Sequence, residues 1–151
     1  MKLAEALALR GDTQKKLLSL RERIGMYAVV QEGLTPAEDP LELLKEAYGT
    51  LDQLKSLVSK INAVNSVRCL PDGRTLTVAM ATRDELVQRH SLIKHAIASC
   101  HKEPDRYSVK EIRWVSSLEV KKLQKQADDL AKQIRELNLA IQQANWQYDL
   151  E

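Results

Sequence analysis

The sequence predicts an all-α fold, an antiparallel up-down four-helix bundle of long helices. Three observations predict it. Four segments repeat apolar residues at spacings of three and four, the signature of one helix face. The composition favours helix over sheet, with no Phe, 4% aromatic residues, five Gly and four Pro. The prolines Pro36, Pro40, Pro71 and Pro104 fall between those segments or open one. At 151 residues the chain reads as one domain, 1–151, large enough to bury a core without staples.

In the first segment Leu3, Ala6, Arg10, Thr13, Leu17, Leu20, Ile24 and Tyr27 line one face. The second opens at Asp39-Pro40-Leu41-Glu42, where Asp39 can cap the free amides, Pro40 suits the first helical position and Glu42 can complete a capping box. Its stripe is Leu44, Ala47, Leu51, Leu54, Val58, Ile61 and Asn65. The third follows Thr77 as cap, with Ala79, Arg83, Leu86, His90, Ile93, Ile97 and Cys100 on its seam and Pro104 fixing its end. The fourth opens on Ser116-Ser117-Leu118-Glu119, a second capping-box pattern. Val120, Leu123, Ala127, Leu130, Ile134, Leu137, Ile141 and Ala144 then hold an unbroken heptad seam.

The flanks of that seam carry almost no charge (Gln124, Ala131, Asn138 and Asn145; Glu119, Gln126, Gln133 and Ala140), while Lys121, Lys122, Asp128, Asp129, Lys132, Arg135 and Glu136 sit on the far face. A wide uncharged stripe predicts burial against more than one helix, as in a bundle rather than an isolated coiled coil. Helices of about 26–32 residues would run roughly 40–48 Å. The connections are 31–38, 66–76 and 101–115. Leu70-Pro71-Asp72-Gly73-Arg74 is a turn signal, with short strands expected on either side, and 107–115 is rich in extended-chain formers.

Twenty-three basic and 21 acidic residues leave a net charge of +2, without the concentrated basic footprint of a polyanion binder, so strong nucleic-acid binding is not expected. Cys69 and Cys100 read as free thiols of a reducing compartment. Charged residues interrupt the start of the chain, and no stretch approaches the about 18 apolar residues of a membrane span. A cytoplasmic location without membrane contact follows as the expectation.

His90, His95 and His101 lie five and six residues apart, the wrong spacing for two ligands on one helix face, so neither metal nor cofactor is expected. Cys100 beside His101 lacks the geometry of an activated nucleophile. Glu32, Glu38 and Asp39 share a loop, but not the alternate-residue spacing of a calcium site. Asn62 and Asn65 interrupt the second helix near its end, where amides can satisfy the last carbonyls. Arg10 and Arg83 stand on apolar stripes, either snorkelling or pairing with a carboxylate such as Asp84 or Asp128. Trp114 beside Arg113, and Trp146, have the character of interface anchors, and Leu139 is apolar on a charged face in heptad register with Trp146. Glu32, Glu38, Asn62, Asn65, Arg113, Trp114, Leu139 and Trp146 are therefore the candidate partner-binding residues. Trp114 is expected near Glu32 and Glu38, and Trp146 near Asn62, Asn65 and the Asp72-Gly73 turn.

Several strings carry a resemblance: Gln31-Glu32-Gly33 with Pro36-Ala37-Glu38-Asp39-Pro40, Ile61-Asn62 with Asn65, Asp72-Gly73-Arg74-Thr75-Leu76-Thr77, Arg83-Asp84, Glu111-Ile112-Arg113-Trp114 and Asn145-Trp146. Over nearly its whole length the chain resembles a family of short, uncharacterised bacterial helical proteins, named after a corynebacterial locus, some of which are labelled septicolysin. That label implies membrane attack; the resemblance supplies no catalytic residue. The residues themselves point to a non-enzymatic binding or scaffold protein that forms a homo-oligomer and meets a further protein partner. The alternatives are a nucleic-acid-binding helical arm and a membrane-active lysin.

Overall fold

The computed structural model is all-α and describes residues 1–101 and 113–150. Four helices follow in order: α1 (Leu3–Tyr27), α2 (Pro40–Val67), α3 (Leu76–Ser99) and α4 (Val120–Gln147). α1 packs on α2, and α3 on α4. The chain forms two compact units, one of Met1–Thr75 with Gln142–Glu151, the other Leu76–Ile141.

In the first unit α1 packs with the face its spacing predicts. Leu3, Ala6 and Leu20 are buried, while Arg10, Thr13, Leu17, Ile24 and Tyr27 are half-buried. α2 answers with Leu43, Thr50, Ile61 and Asn65. This face is rotated from the expected stripe, since Leu51 is exposed and Leu43 and Thr50 are buried instead. The apolar arc of α2 is wider than α1 can cover, and α1 takes one edge of it. Thr50 tolerates burial because its hydroxyl donates to the Glu46 carbonyl at 2.8 Å.

The expected turn is present after α2. Leu70 N–H donates to the Arg74 carbonyl at 2.8 Å, and Gly73 adopts φ +86°, which glycine alone accepts freely. Asp72 accepts from the Arg74 amide at 3.0 Å and from its guanidinium at 2.6 Å. The short strands expected beside it reduce to the single bridge Cys69–Thr75. A second antiparallel bridge, Lys2–Asp149, ties the end of the chain to its beginning.

In the second unit Leu76 and Ala79 of α3, and Ala127, Leu137 and Ile141 of α4, are buried. The remaining seam positions, Arg83, Leu86, His90, Ile93, Ile97 and Cys100 facing Leu123, Leu130 and Ile134, are only half-buried. Two helices alone cannot close over seams this wide.

Two helix starts differ from expectation. α3 begins at Leu76, placing Thr77 inside its first turn, because Leu76 packs into the core directly after the hydrogen-bonded turn. α4 begins at Val120, after Glu119. Ser116 spends its hydroxyl on Leu118, accepting from the amide at 3.2 Å and donating to the carbonyl at 2.8 Å, so the box with Glu119 does not form. α3 ends at Ser99, where Cys100 N–H reaches the Ile97 carbonyl at 3.1 Å. Pro104, the stretch 107–112 and the glutamate and isoleucine before Arg113 lie outside the described residues.

Asp39 does cap α2, accepting from Leu41 N–H at 2.9 Å with Pro40 next in the chain. Glu42 pairs forward with Lys45 instead of reaching back. Asp39→Ala should therefore cost about 1 kcal/mol, lowering Tm by about 2–4 °C. Glu42→Ala, which breaks only an exposed pair, should stay within about 1 kcal/mol of wild type. Thermal melts followed by circular dichroism check both, and equal losses would mean that Glu42 shares the cap.

Candidate functional site

The three carboxylates of the first loop perform separate tasks. Asp39 caps α2. Glu38 takes a two-pronged hydrogen bond from Arg23 of α1, with Nε at 2.7 Å from Oε2 and Nη2 on Oε1. Glu32 is exposed, without a partner among the described residues. Two turns away, Lys16 of α1 meets Glu46 of α2 at 2.8 Å. The Arg23 and Lys16 cations hold the Glu38 and Glu46 carboxyls below the usual range. These bonds clamp α1 to α2 and leave no concerted ligand set at the loop.

The opposite end of the first unit holds the densest polar cluster. Leu3 N–H donates to the Tyr148 carbonyl at 2.9 Å, and Leu150 N–H to the Met1 carbonyl at 2.8 Å. Lys2 Nζ lies 2.9 Å from Asp149 and 3.3 Å from the Gln147 carbonyl, placing a cation at the C-terminus of α4, where the helix dipole favours it. The Tyr148 hydroxyl donates to the Cys69 carbonyl, and the Arg68 guanidinium lies 5.5 Å from the centre of its ring. Leu150 is buried beneath. This clasp escaped the sequence reading. Its only signal is Lys2 and Asp149, opposite charges at the two ends of the chain.

The candidate residues disperse around this frame. The clasp carries the end of α4 to Arg68 and Cys69, at the turn end of the first unit. Asn65 is buried there; Asn62 and the Trp146 indole are exposed. Neither asparagine caps α2, whose late carbonyls accept from Arg68 N–H at 2.9 Å (Val64) and the Ser66 hydroxyl at 2.8 Å (Ala63). Arg113 and Trp114 are exposed before α4 in the second unit. Leu139 is exposed on α4. Arg83, half-buried, pairs with Asp84 at 2.7 Å, while Asp128 accepts from Gln124 at 3.2 Å. Among the described residues no group of three or more His, Cys, Asp or Glu could hold a metal ion, and both cysteines are free.

Each resolved pKa shift stabilises an ion pair. Asp72 and Asp149 are lowered by Arg74 and Lys2, and Arg23 and Arg74 are raised by Glu38 and Asp72. General acid–base chemistry needs the opposite, a carboxyl raised or a cation lowered toward neutrality. The arrangement is that of a helical protein with exposed large apolar side chains and locally paired charges.

The chain belongs to a family of unknown function (DUF6847), whose model matches residues 10–150. A crystal structure of a functionally unknown conserved protein from Corynebacterium diphtheriae is similar at 38% identity. Its TM-score is 0.92, over 100% of this chain and 99% of the other. No curated protein matches the chain. The resemblance seen in the sequence thus holds at the level of an uncharacterised family with a corynebacterial relative.

The clasp should be sensitive to acid. Because Lys2 lowers the Asp149 carboxyl, the pair contributes stability above the ordinary carboxyl value of 3.8 and loses it as pH falls through the lower folded value. Asp149→Asn should melt below wild type at neutral pH, and the difference should close only under pH 3.8. A difference unchanged down to pH about 2 would show that the charge is immaterial. Tyr148→Phe, which removes a bond to a backbone carbonyl, should cost about 1 kcal/mol at every pH.

Proposed function

We propose that this protein acts by binding, as a cytoplasmic helical scaffold that associates with its own copies and presents the resulting surface to a protein partner, without a reaction of its own. The observation that carries this reading is large apolar side chains standing outside the covered seams at helix-repeat spacing. On α4 Leu139 is 56% and Trp146 64% exposed, seven residues apart and so on one face. Such side chains in register mark a surface that a partner covers. An antiparallel two-fold pairing along α4 would bring the Trp114 end of one chain to the Trp146 end of its mate.

The septicolysin resemblance supplies a second reading, since exposed apolar faces can also meet lipid. Among the described residues no helix is long and apolar enough to cross a membrane, so lysis would act from the surface. The nucleic-acid alternative has less support, because the outer face of α4 mixes Lys121, Lys122, Lys132 and Arg135 with Asp128, Asp129 and Glu136.

Light scattering at about tens of micromolar, the weaker range of specific association, should find a dimer or larger assembly, reduced by Leu139→Glu with Trp146→Ala. A wild-type monomer would end the self-association reading. An unchanged oligomer in the double variant would end the α4 interface. Dye release from liposomes at the same concentration would favour the lysin reading, and salt-sensitive submicromolar RNA binding would favour the helical arm.

A further inference from the structure

Resting on the self-association reading above, we infer that the outer face of α2 is a second interface, occupied by α2 of another copy in antiparallel orientation. Leu41, Leu44, Tyr48 and Leu51 follow at spacings of three, four and three, which aligns them along one stripe. α1 covers a different arc of α2, that of Leu43, Thr50 and Ile61. The stripe remains open, with Leu41 66%, Tyr48 62% and Leu51 47% exposed and Leu44 half-buried.

The charges beside the stripe select its occupant. Lys45 and Asp52 lie seven residues apart on the same flank, equally distant from a midpoint between Tyr48 and Gly49. Along the helix axis each sits about 5 Å from that midpoint. A two-fold axis through the midpoint pairs antiparallel helices so that like flanks meet. Lys45 of each chain then faces Asp52 of the other, twice over, while the tyrosines meet at the centre. A parallel pairing in register would bring opposite flanks together and leave Lys45 and Asp52 on separate sides of the seam. The monomer leaves both groups available. Asp52 has no partner among the described residues, and Lys45 makes only the exposed pair with Glu42. In this antiparallel register the flank of the stripe is self-complementary in charge, which points to another copy of this chain as the occupant.

A single helix pair buries less than the about 800 Å² per partner of a standard interface, so association through this face is weak and depends on concentration. Sedimentation velocity over a concentration series provides the test. Tyr48→Glu should weaken association by more than about ten-fold, because a charge replaces the central anchor. Lys45→Glu and Asp52→Lys should each weaken it, and the double exchange Lys45→Glu with Asp52→Lys should recover most of the loss. A wild-type monomer throughout would end this inference together with the self-association reading. A wild-type oligomer indifferent to Tyr48→Glu and both charge variants would end the α2 interface alone. Losses without recovery in the double exchange would reject the antiparallel register. A lower Tm in Tyr48→Glu with unchanged association would show that the chain itself covers the stripe.

Discussion

The width of an apolar helix face, set against what one neighbouring helix can cover, governs this structure. A helix in a bundle core carries an apolar stripe of at least about 100°, whereas packing against one neighbour consumes only part of it. α2 shows the mismatch directly. Its apolar positions run from Leu43 and Ile61, which α1 buries, round to Leu51 and Tyr48, which α1 does not reach. In the second unit the same limit leaves Leu86, Ile93, Leu130 and Ile134 half-buried although they stand on the predicted seams. Pairing fixes which edge of each arc is used, and the remainder becomes surface.

The periodic part of this architecture was legible in the sequence because helix spacing is local. The α1 stripe from Leu3 to Tyr27 and the α4 seam from Val120 to Ala144 both lie on the more buried side of their helices. What the period cannot fix is rotation within a wide arc, hence the shift from Leu51 to Leu43 and Thr50 on α2. Caps were legible only in part. Asp39 followed by proline has one good use, but Ser116 could bond either to its own turn or to a helix start, and the local turn won. The clasp of Lys2, Asp149, Tyr148 and Cys69 was illegible, since it joins residues more than 70 positions apart without any repeating pattern.

The candidate site divides along the same line. Glu32, Glu38 and Asp39 share a loop without the spacing of a calcium site. Asp39 takes the capping role its place before Pro40 suggested, and Arg23, distant in sequence, engages Glu38. The exposure of Leu139 and Trp146 was legible in the sequence. Leu139 broke a charged face and Trp146 followed one heptad later, a pattern that needs only helix geometry to interpret. The polar groups therefore serve to hold helices and chain ends in place, and large apolar residues outside the seams, Leu139 and Trp146 among them, remain exposed.

The wide uncharged flanks of α4 were a reason to expect burial against more than one helix. That expectation is indifferent to which chain supplies the extra helices. Two α1·α2 pairs meeting along α2 would cover the α2 arc from two sides, by α1 of the same chain and by α2 of the mate. A sequence selected for such an assembly carries the same heptads and the same broad arcs as a monomeric bundle. The distinguishing mark lies beside the stripe, in charges that complement themselves under a two-fold rotation. In an antiparallel pair of α2 helices with its two-fold axis between Tyr48 and Gly49, Lys45 of each chain would meet Asp52 of the other, whereas flanks of one sign would repel.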